Sequence, residues 1–298
     1  GMKISELGED GLIARLTATL AGSGDVIAGP GDDCAVIRGA KGEPYWLLKT
    51  DSVVEDIHFR RTQPPGKVGW KALCRAISDI GAMGGEPRFA LISLASPGEV
   101  AVEYWQKFYR GLARAARRYG VCVVGGETSR SPGPIVVTVS LAGRVRKDRL
   151  VLRRGGKPGD WLFVTGRLGG SLRGRHLTFE PRVREAAWLA RHFRPSAMMD
   201  LSDGIAKDLP RLAAQSRVGF SIDPEAIPRN RGCGVAEALG DGEDYELLFA
   251  IPPERAEALP RAWRKKFPRL PLTRIGELCR RSSLPSFAGQ GFDHFRVD

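Results

Sequence analysis

The chain has 298 residues, 42% hydrophobic and 27% charged, a globular composition long enough for two domains, and no run approaches the roughly 18–20 apolar residues of a membrane span. A formal net charge of +12 favours phosphate-bearing partners, whether nucleotides, nucleic acid or an anionic surface, without choosing among them. The five cysteines (Cys34, Cys74, Cys122, Cys233 and Cys279) form no Cys-x-x-Cys pair, which argues against a disulfide framework and reads as reduced core thiols of a cytosolic protein.

In chain order, the amino-terminal residues carry Glu6, Glu9 and Asp10 and no apolar core of a signal peptide, so a cytoplasmic location is expected. Leu12, Ile13, Leu16 and Leu20 give a weak helical pattern over 9–20. Gly31-Asp32-Asp33 then leads into the apolar run 34–37, a Gly/Pro connection 39–44, a second apolar run 45–48 and Lys49-Thr50-Asp51-Ser52. Two short runs joined by turn residues predict a hairpin, which would bring Asp32 and Asp33 near Asp51. Like charges that close repel unless a cation lies between them, and Mg²⁺ with its preference for oxygen ligands is the simplest one.

From Gly66 onward, Val68, Ala72, Leu73, Ala76, Ile77 and Ile80 recur at helical spacing, and Asp79 falls near the carboxyl end, where a carboxylate opposes the helix dipole and becomes a candidate ligand. A strand is expected over 89–94 and a helix over 99–119, its apolar face Val102, Trp105, Phe108, Tyr109, Leu112 and Ala116, and its solvated face basic. A strand over 121–124 is expected to stop at Gly125-Gly126-Glu127-Thr128-Ser129, and another runs over 135–145. Acids thus appear where strands end, the place where sites form in open α/β sheets. The basic, Gly-rich stretch 144–159 marks a boundary between domains 1–146 and 147–298. Beyond it come a strand over 161–165, a Gly-rich loop to Ser171, and a helix over 180–193 with Pro181 in its first turn. Asp200 and Asp203 flank a helix start that runs through Leu212, followed by a strand 218–222, an acidic loop 240–244, a strand 245–251, a helix 253–267 and a strand 272–278.

P-loop and Rossmann fingerprints are absent, and four widely spaced histidines without Cys pairs argue against zinc. His58 stands out because it follows the acidic hairpin. Carboxylates at glycine-flanked strand ends in a basic chain fit a Mg²⁺-nucleotide site.

Eight motifs then occur in an order that resembles the thiamine-monophosphate kinase family: Gly31-Asp32-Asp33-Cys34-Ala35, Thr50-Asp51-Ser52 with His58-Phe59, Ser78-Asp79-Ile80-Gly81-Ala82-Met83-Gly84, Gly125-Gly126-Glu127-Thr128, the segment Arg153 to Asp160, Met199-Asp200-Leu201-Ser202-Asp203-Gly204, Gly242-Glu243-Asp244-Tyr245-Glu246-Leu247 and Gly291-Phe292-Asp293-His294-Phe295. The resemblance implies an α/β (α+β), PurM-like two-domain fold of the aminoimidazole-ribonucleotide synthetase superfamily, with an amino-terminal sheet that forms a homodimer interface and a carboxyl-terminal α/β domain. It implies ATP as co-substrate, thiamine monophosphate as acceptor, several Mg²⁺ ions and no general base. Carried over by motif, Asp33, Thr50, Asp51, Asp79, Glu127, Asp200 and Asp203 resemble Mg²⁺ ligands. By the same resemblance Gly126, Glu127, Arg153 and Ser202 would meet ATP, and His58, Glu243 and Phe292 would face the thiamine substrate. Glu127 stands where the family usually has Asp, Gly170 where an Asp is typical and Lys49 where Ser is common, and the stretch 174–182 is distinct. Two alternatives stay open: a superfamily enzyme acting on another small substrate, and a basic nucleic-acid-binding homologue without catalysis.

Overall fold

The computed structural model describes residues 1–20 and 22–281. The motif Gly291-Phe292-Asp293-His294-Phe295, and with it Phe292, lies outside the described residues.

The amino-terminal half holds α1 (Ile4–Thr17), β1 (Val26–Ala28), β2 (Ala35–Ile37), β3 (Tyr45–Val54), α2 (Pro65–Ala82), β4 (Glu86–Ser96), α3 (Val102–Tyr119), β5 (Cys122–Arg130) and β6 (Val136–Val145). Its strands form a six-stranded sheet in the order β1-β2-β3-β6-β4-β5. One face is covered by α2 and α3, whose Leu73, Ile77, Ile80, Phe108 and Leu112 bury against Leu47, Ile92, Val137, Val139 and Leu141. The expected hairpin is present, with Ala35 opposite Leu48 and Ile37 opposite Trp46. Pro65 opens α2 at a position whose N–H would be unbonded in any case. The two helices touch backbone to backbone because glycine stands at the crossing. A Cβ added at Gly111 would lie 1.7 Å from the Gly66 carbonyl oxygen, and one at Gly69 would lie 2.0 Å from that of Phe108.

The carboxyl-terminal half holds β7 (Trp161–Thr165), α4 (Val183–His192), β8 (Ala197–Asp200), α5 (Ile205–Ser216), β9 (Gly219–Ile222), α6 (Val235–Gly240), β10 (Leu247–Ile251), α7 (Pro253–Ala256), α8 (Leu259–Lys266) and β11 (Leu272–Cys279). The strands make a five-stranded sheet, order β8-β10-β7-β11-β9, buried on both faces. Leu209 and Leu212 of α5 with Leu239 of α6 cover one face; Ala186 and Leu189 of α4, Leu259 and Trp263 of α8 cover the other. Among the described residues no helix is long and apolar enough to cross a membrane.

Several expectations are corrected. In the first sheet only β4 and β5 pair in parallel, so the strand ends do not line up along one carboxyl-terminal edge as the placing of acids at strand ends suggested. The acids are therefore gathered from a loop, a strand, a helix end and a strand end, and not along one sheet edge. β5 does not stop at Gly125 but runs on to Arg130 as an edge strand. Pro181 precedes α4, and 253–267 is two helices, with the break at Glu257 and Ala258. β8 and α6 are additional elements. On α3, Val102 is 67% exposed while Gly111 and Ala115 are buried, so the buried stripe is rotated from the expected one. All five cysteines are free, but only Cys34 and Cys74 are buried.

Candidate active site

The site is built around three carboxylates from three elements. Asp33 precedes β2, Asp79 sits in the last turn of α2, and Asp200 ends β8; each is buried, and an oxygen of each lies within 4.8 Å of the others. Burial disfavours the ionised forms of Asp79 and Asp200. It pushes Asp200 up to about 7, helped by the charge of Asp33, and Asp79 well above the ordinary carboxylate range despite Lys49. Asp32, next in chain, is raised to about 7 by burial and by Asp33. Asp33 Oδ2 is buried without a hydrogen-bond partner. An all-oxygen, hard donor set with an unsatisfied ligand atom fits Mg²⁺.

Cations of the chain thread this group. Lys49 Nζ lies 3.1 Å from Asp79 Oδ2. Burial opposes its charge, yet Asp79 and Asp51 outweigh it and raise the Lys49 pKa. Arg153 donates through Nε to Asp33 Oδ1 at 3.1 Å and through its backbone N–H to Asp32 Oδ2 at 3.1 Å. Ser78 Oγ donates to Asp200. Arg75 grips Asp51 through Nε (3.2 Å) and Nη2 (3.1 Å). Asp79 and Asp200, with Asp32, Lys49, Asp51, Arg75 and Arg153, line a cleft of about 600 Å³ between the two halves, which is also lined by Ser202, Asp203 and, from α1, Glu9 and Asp10. Lys207 and Arg211 on α5 tie α1 down through Glu9 (2.9 Å) and Asp10 (2.7 Å), and Arg211 also holds Asp203.

A second, smaller cavity adjoins the cleft, sharing Arg75, Ser202, Asp203 and Tyr245 and adding Ile57, His58, Leu172 and Glu243. Here Lys71, fully buried, donates to the His58 carbonyl (2.6 Å) and to Glu243 Oε2 (2.7 Å), and contacts His176 Nδ1 at 2.7 Å. Burial pulls Lys71 down to about 8 although Glu243 opposes it. For Glu243 burial works against ionisation, but the His176 hydrogen bond and the charges of Lys71 and Arg75 prevail and hold it near 2. Glu243 and Tyr245 both adopt positive φ (52° and 51°), a backbone held in place by its surroundings.

Of the residues singled out from sequence, Asp33, Asp79 and Asp200 meet, and Asp51, Arg153, Ser202 and Asp203 line the same cleft. His58 and Glu243 share the second cavity. Thr50 and Glu127 do not join them. On β3, Leu47 and Val53 face the helices while Leu48 and Thr50 are exposed on the other side. Glu127 pairs with exposed Ser93 on that outward face, and Gly126 lies beside it on the edge strand. Sequence reasoning missed Lys71, Arg75 and His176. The first two had a signal: with Asp79 they stand at i, i+4 and i+8 of α2, one face of an otherwise apolar buried helix. The distinct stretch 174–182 supplies the third and clamps the acidic motif beside it, with Arg175 on Asp244 (2.8 Å) and Arg182 on Glu246 (2.7 Å).

Residues 31–145 match the family model described as AIR synthase related protein, N-terminal domain, and residues 165–284 its C-terminal domain. The chain is 36% identical over 294 residues to thiamine-monophosphate kinase of Rhodopirellula baltica, covering 93% of this chain and 91% of that one. It is 38% identical over 282 residues to thiamine-monophosphate kinase of Aquifex aeolicus, covering 85% and 89%. The solved structure described as "AaThiL complexed with AMPPCP and TMP" superposes with TM-score 0.86 at 34% identity, over 99% of both chains. E. coli HypE, a hydrogenase maturation protein, shares the fold at TM-score 0.69 and 19% identity, over 97% of both chains.

Proposed function

The chain belongs to the thiamine-monophosphate kinase family, and from that membership we propose that it catalyses ATP-dependent phosphorylation of thiamine monophosphate to thiamine diphosphate by direct in-line transfer to the substrate's own phosphate. The observation that carries the reading is the oxygen-only group Asp33–Asp79–Asp200, opening on a cleft that adjoins a second cavity with its own carboxylate, Glu243. Several Mg²⁺ ions bound there would neutralise two polyanions and stabilise the charge of the transferring group. Asp33, Asp79 and Asp200 are the proposed core ligands, with Asp51 and Asp203 as further oxygen donors in the cleft. Arg153 and Ser202 are proposed to meet the nucleotide. Arg153, now hydrogen-bonded to Asp33, would be freed to meet it if a metal ion took its place on that carboxylate. His58 and Glu243 face the thiamine, and the ionised Glu243 suits its cationic part; Phe292 is proposed to stack on a ring.

The acceptor phosphate has a second pKa of about 6 and is largely ionised at neutral pH, so no general base is required. A homodimer built on the outward face of the first sheet, where Thr50 and Glu127 lie with Gly126 next to Glu127 in the edge strand, and a cytoplasmic location complete the proposal. The test is ADP release from ATP by the purified protein with and without thiamine monophosphate, in Mg²⁺ and in EDTA. Release that requires both, with thiamine diphosphate as product, is the expected result; release indifferent to thiamine monophosphate overturns it.

A further inference from the structure

We propose that Arg75 is the residue that binds the acceptor's phosphate, a phosphate monoester seated where the cleft and the second cavity meet; the proposal rests on the kinase reading above. Arg75 lines both cavities from the middle of α2. One edge of its guanidinium is committed, with Nε and Nη2 holding Asp51 at 3.2 and 3.1 Å. The third nitrogen, Nη1, is buried and has no hydrogen-bond partner among the described residues. Glu243 Oε1 lies 4.0 Å from it, beyond hydrogen-bond reach. A buried donor on a group that cannot give up its proton is costly to leave unbonded, so an acceptor is missing at this point.

The neighbouring cations are already engaged. Lys71 Nζ donates to the His58 carbonyl at 2.6 Å and to Glu243 Oε2 at 2.7 Å, and lies 2.7 Å from His176 Nδ1. Lys49 is bound to Asp79, and Arg153 to Asp32 and Asp33. Glu243 is already matched at hydrogen-bond distance by Lys71 and His176, so the Arg75 guanidinium, hydrogen-bonded to Asp51 and only in longer-range ion pairing with Glu243, keeps a donor open toward a phosphate. That direction is the Glu243 side, the cavity of His58, Leu172 and Tyr245 that suits the organic part of the acceptor. Arginine fits the task, since its rigid fork can hold Asp51 with one edge and a phosphate oxygen with the other.

The experiment compares wild type, Arg75→Met and Arg75→Lys for calorimetric binding of thiamine monophosphate, of unphosphorylated thiamine and of a non-hydrolysable ATP analogue, with folding checked by circular dichroism. Wild type is expected to prefer the monophosphate over thiamine by about tenfold or more, a preference that Arg75→Met loses and Arg75→Lys reduces, because a single ammonium cannot serve Asp51 and the phosphate together. Should Arg75→Met fail to fold, Arg75→Lys carries the comparison. An undiminished preference for the monophosphate in the folded variants overturns the proposal, as does a loss that falls equally on the ATP analogue. ADP release by wild type is read separately. If it depends on thiamine monophosphate while the variants keep the preference, the proposal alone fails; if wild type neither releases ADP nor prefers the monophosphate, both fail.

Discussion

Lys49 is the residue at which this chain departs most sharply at its own site. Its ammonium lies 3.1 Å from Asp79, inside a set of carboxylates that attracts a cation in any event, and it stays charged because Asp79 and Asp51 raise its pKa. It therefore acts as a resident counter-charge that an incoming metal has to displace or share. Lys49→Ser should raise Mn²⁺ affinity by about tenfold, read as free Mn²⁺ by electron paramagnetic resonance, and should lower the melting temperature in EDTA, where Asp79 loses its partner. Unchanged Mn²⁺ affinity would place the ammonium outside the cation's position. Asp79→Asn separates the same forces differently. It removes one of three mutually repelling carboxylates along with the Lys49 ion pair, and these changes oppose each other in stability. Turnover should fall by about 10²-fold or more while the melting temperature in EDTA moves by only about 3 °C. Equal losses in both would make Asp79 a structural acid.

At the scale of elements, helix α2 and the stretch 174–182 explain why the site was only partly legible in the sequence. Asp33, Asp79 and Asp200 were legible because glycines and apolar runs bracket them. The apolar spacing of α2 was equally plain, but that pattern marks what is buried and is silent on a Lys and an Arg at 71 and 75, which lie on the polar stripe between core and cleft. β8 went unread because a four-residue strand buried on both faces shows no alternation. Exposed glycines in an edge strand made β5 look as if it ended early. The clamp from 174–182 has no periodicity at all; its meaning lies in three long-range pairs, His176 with Glu243, Arg175 with Asp244 and Arg182 with Glu246. Within it, burial outweighs the Arg175 ion pair and pushes Asp244 up to about 7, against an ordinary value near 4. The folded chain thus holds a proton that the unfolded chain has released between those values, so this contribution to stability declines as pH rises from about 4 to about 7 and is flat above. Asp244→Asn, whose side-chain oxygen still accepts from Gly169 and Arg175, should gain on wild type in melting temperature as pH rises, with a clearly larger advantage at pH 8 than at pH 4. A difference independent of pH would show that Asp244 does not titrate in this range.

At the scale of the whole molecule, one face of the first sheet is left uncovered by the described residues. Leu48 and Leu91 are about half exposed (47% and 48%), and Phe89 beside them is 38% exposed. Strand register places them with Thr50, Ser140, Ser93 and Glu127 on the side away from α2 and α3. β5 stands three strands from β3, roughly 14 Å across the sheet at the usual strand spacing, so Glu127 and the buried triad cannot share one metal ion within a single chain. If Gly126 and Glu127 serve the nucleotide, a second copy has to lie on this face. The exposed leucines and phenylalanine supply the apolar contact such a pairing needs, and polar Thr50, Ser93 and Ser140 keep it from being uniformly greasy. Leu91→Arg places a charge at the centre of that surface without touching the buried core. Sedimentation equilibrium should then report a dimer for wild type and a monomer for the variant, with circular dichroism unchanged. Thiamine-monophosphate-dependent ADP release should fall with the dimer population and recover at high protein concentration. A fully active Leu91→Arg monomer would mean that Asp33, Asp79 and Asp200 suffice without anything from the outward face, and that Gly126 and Glu127 have no part in the reaction.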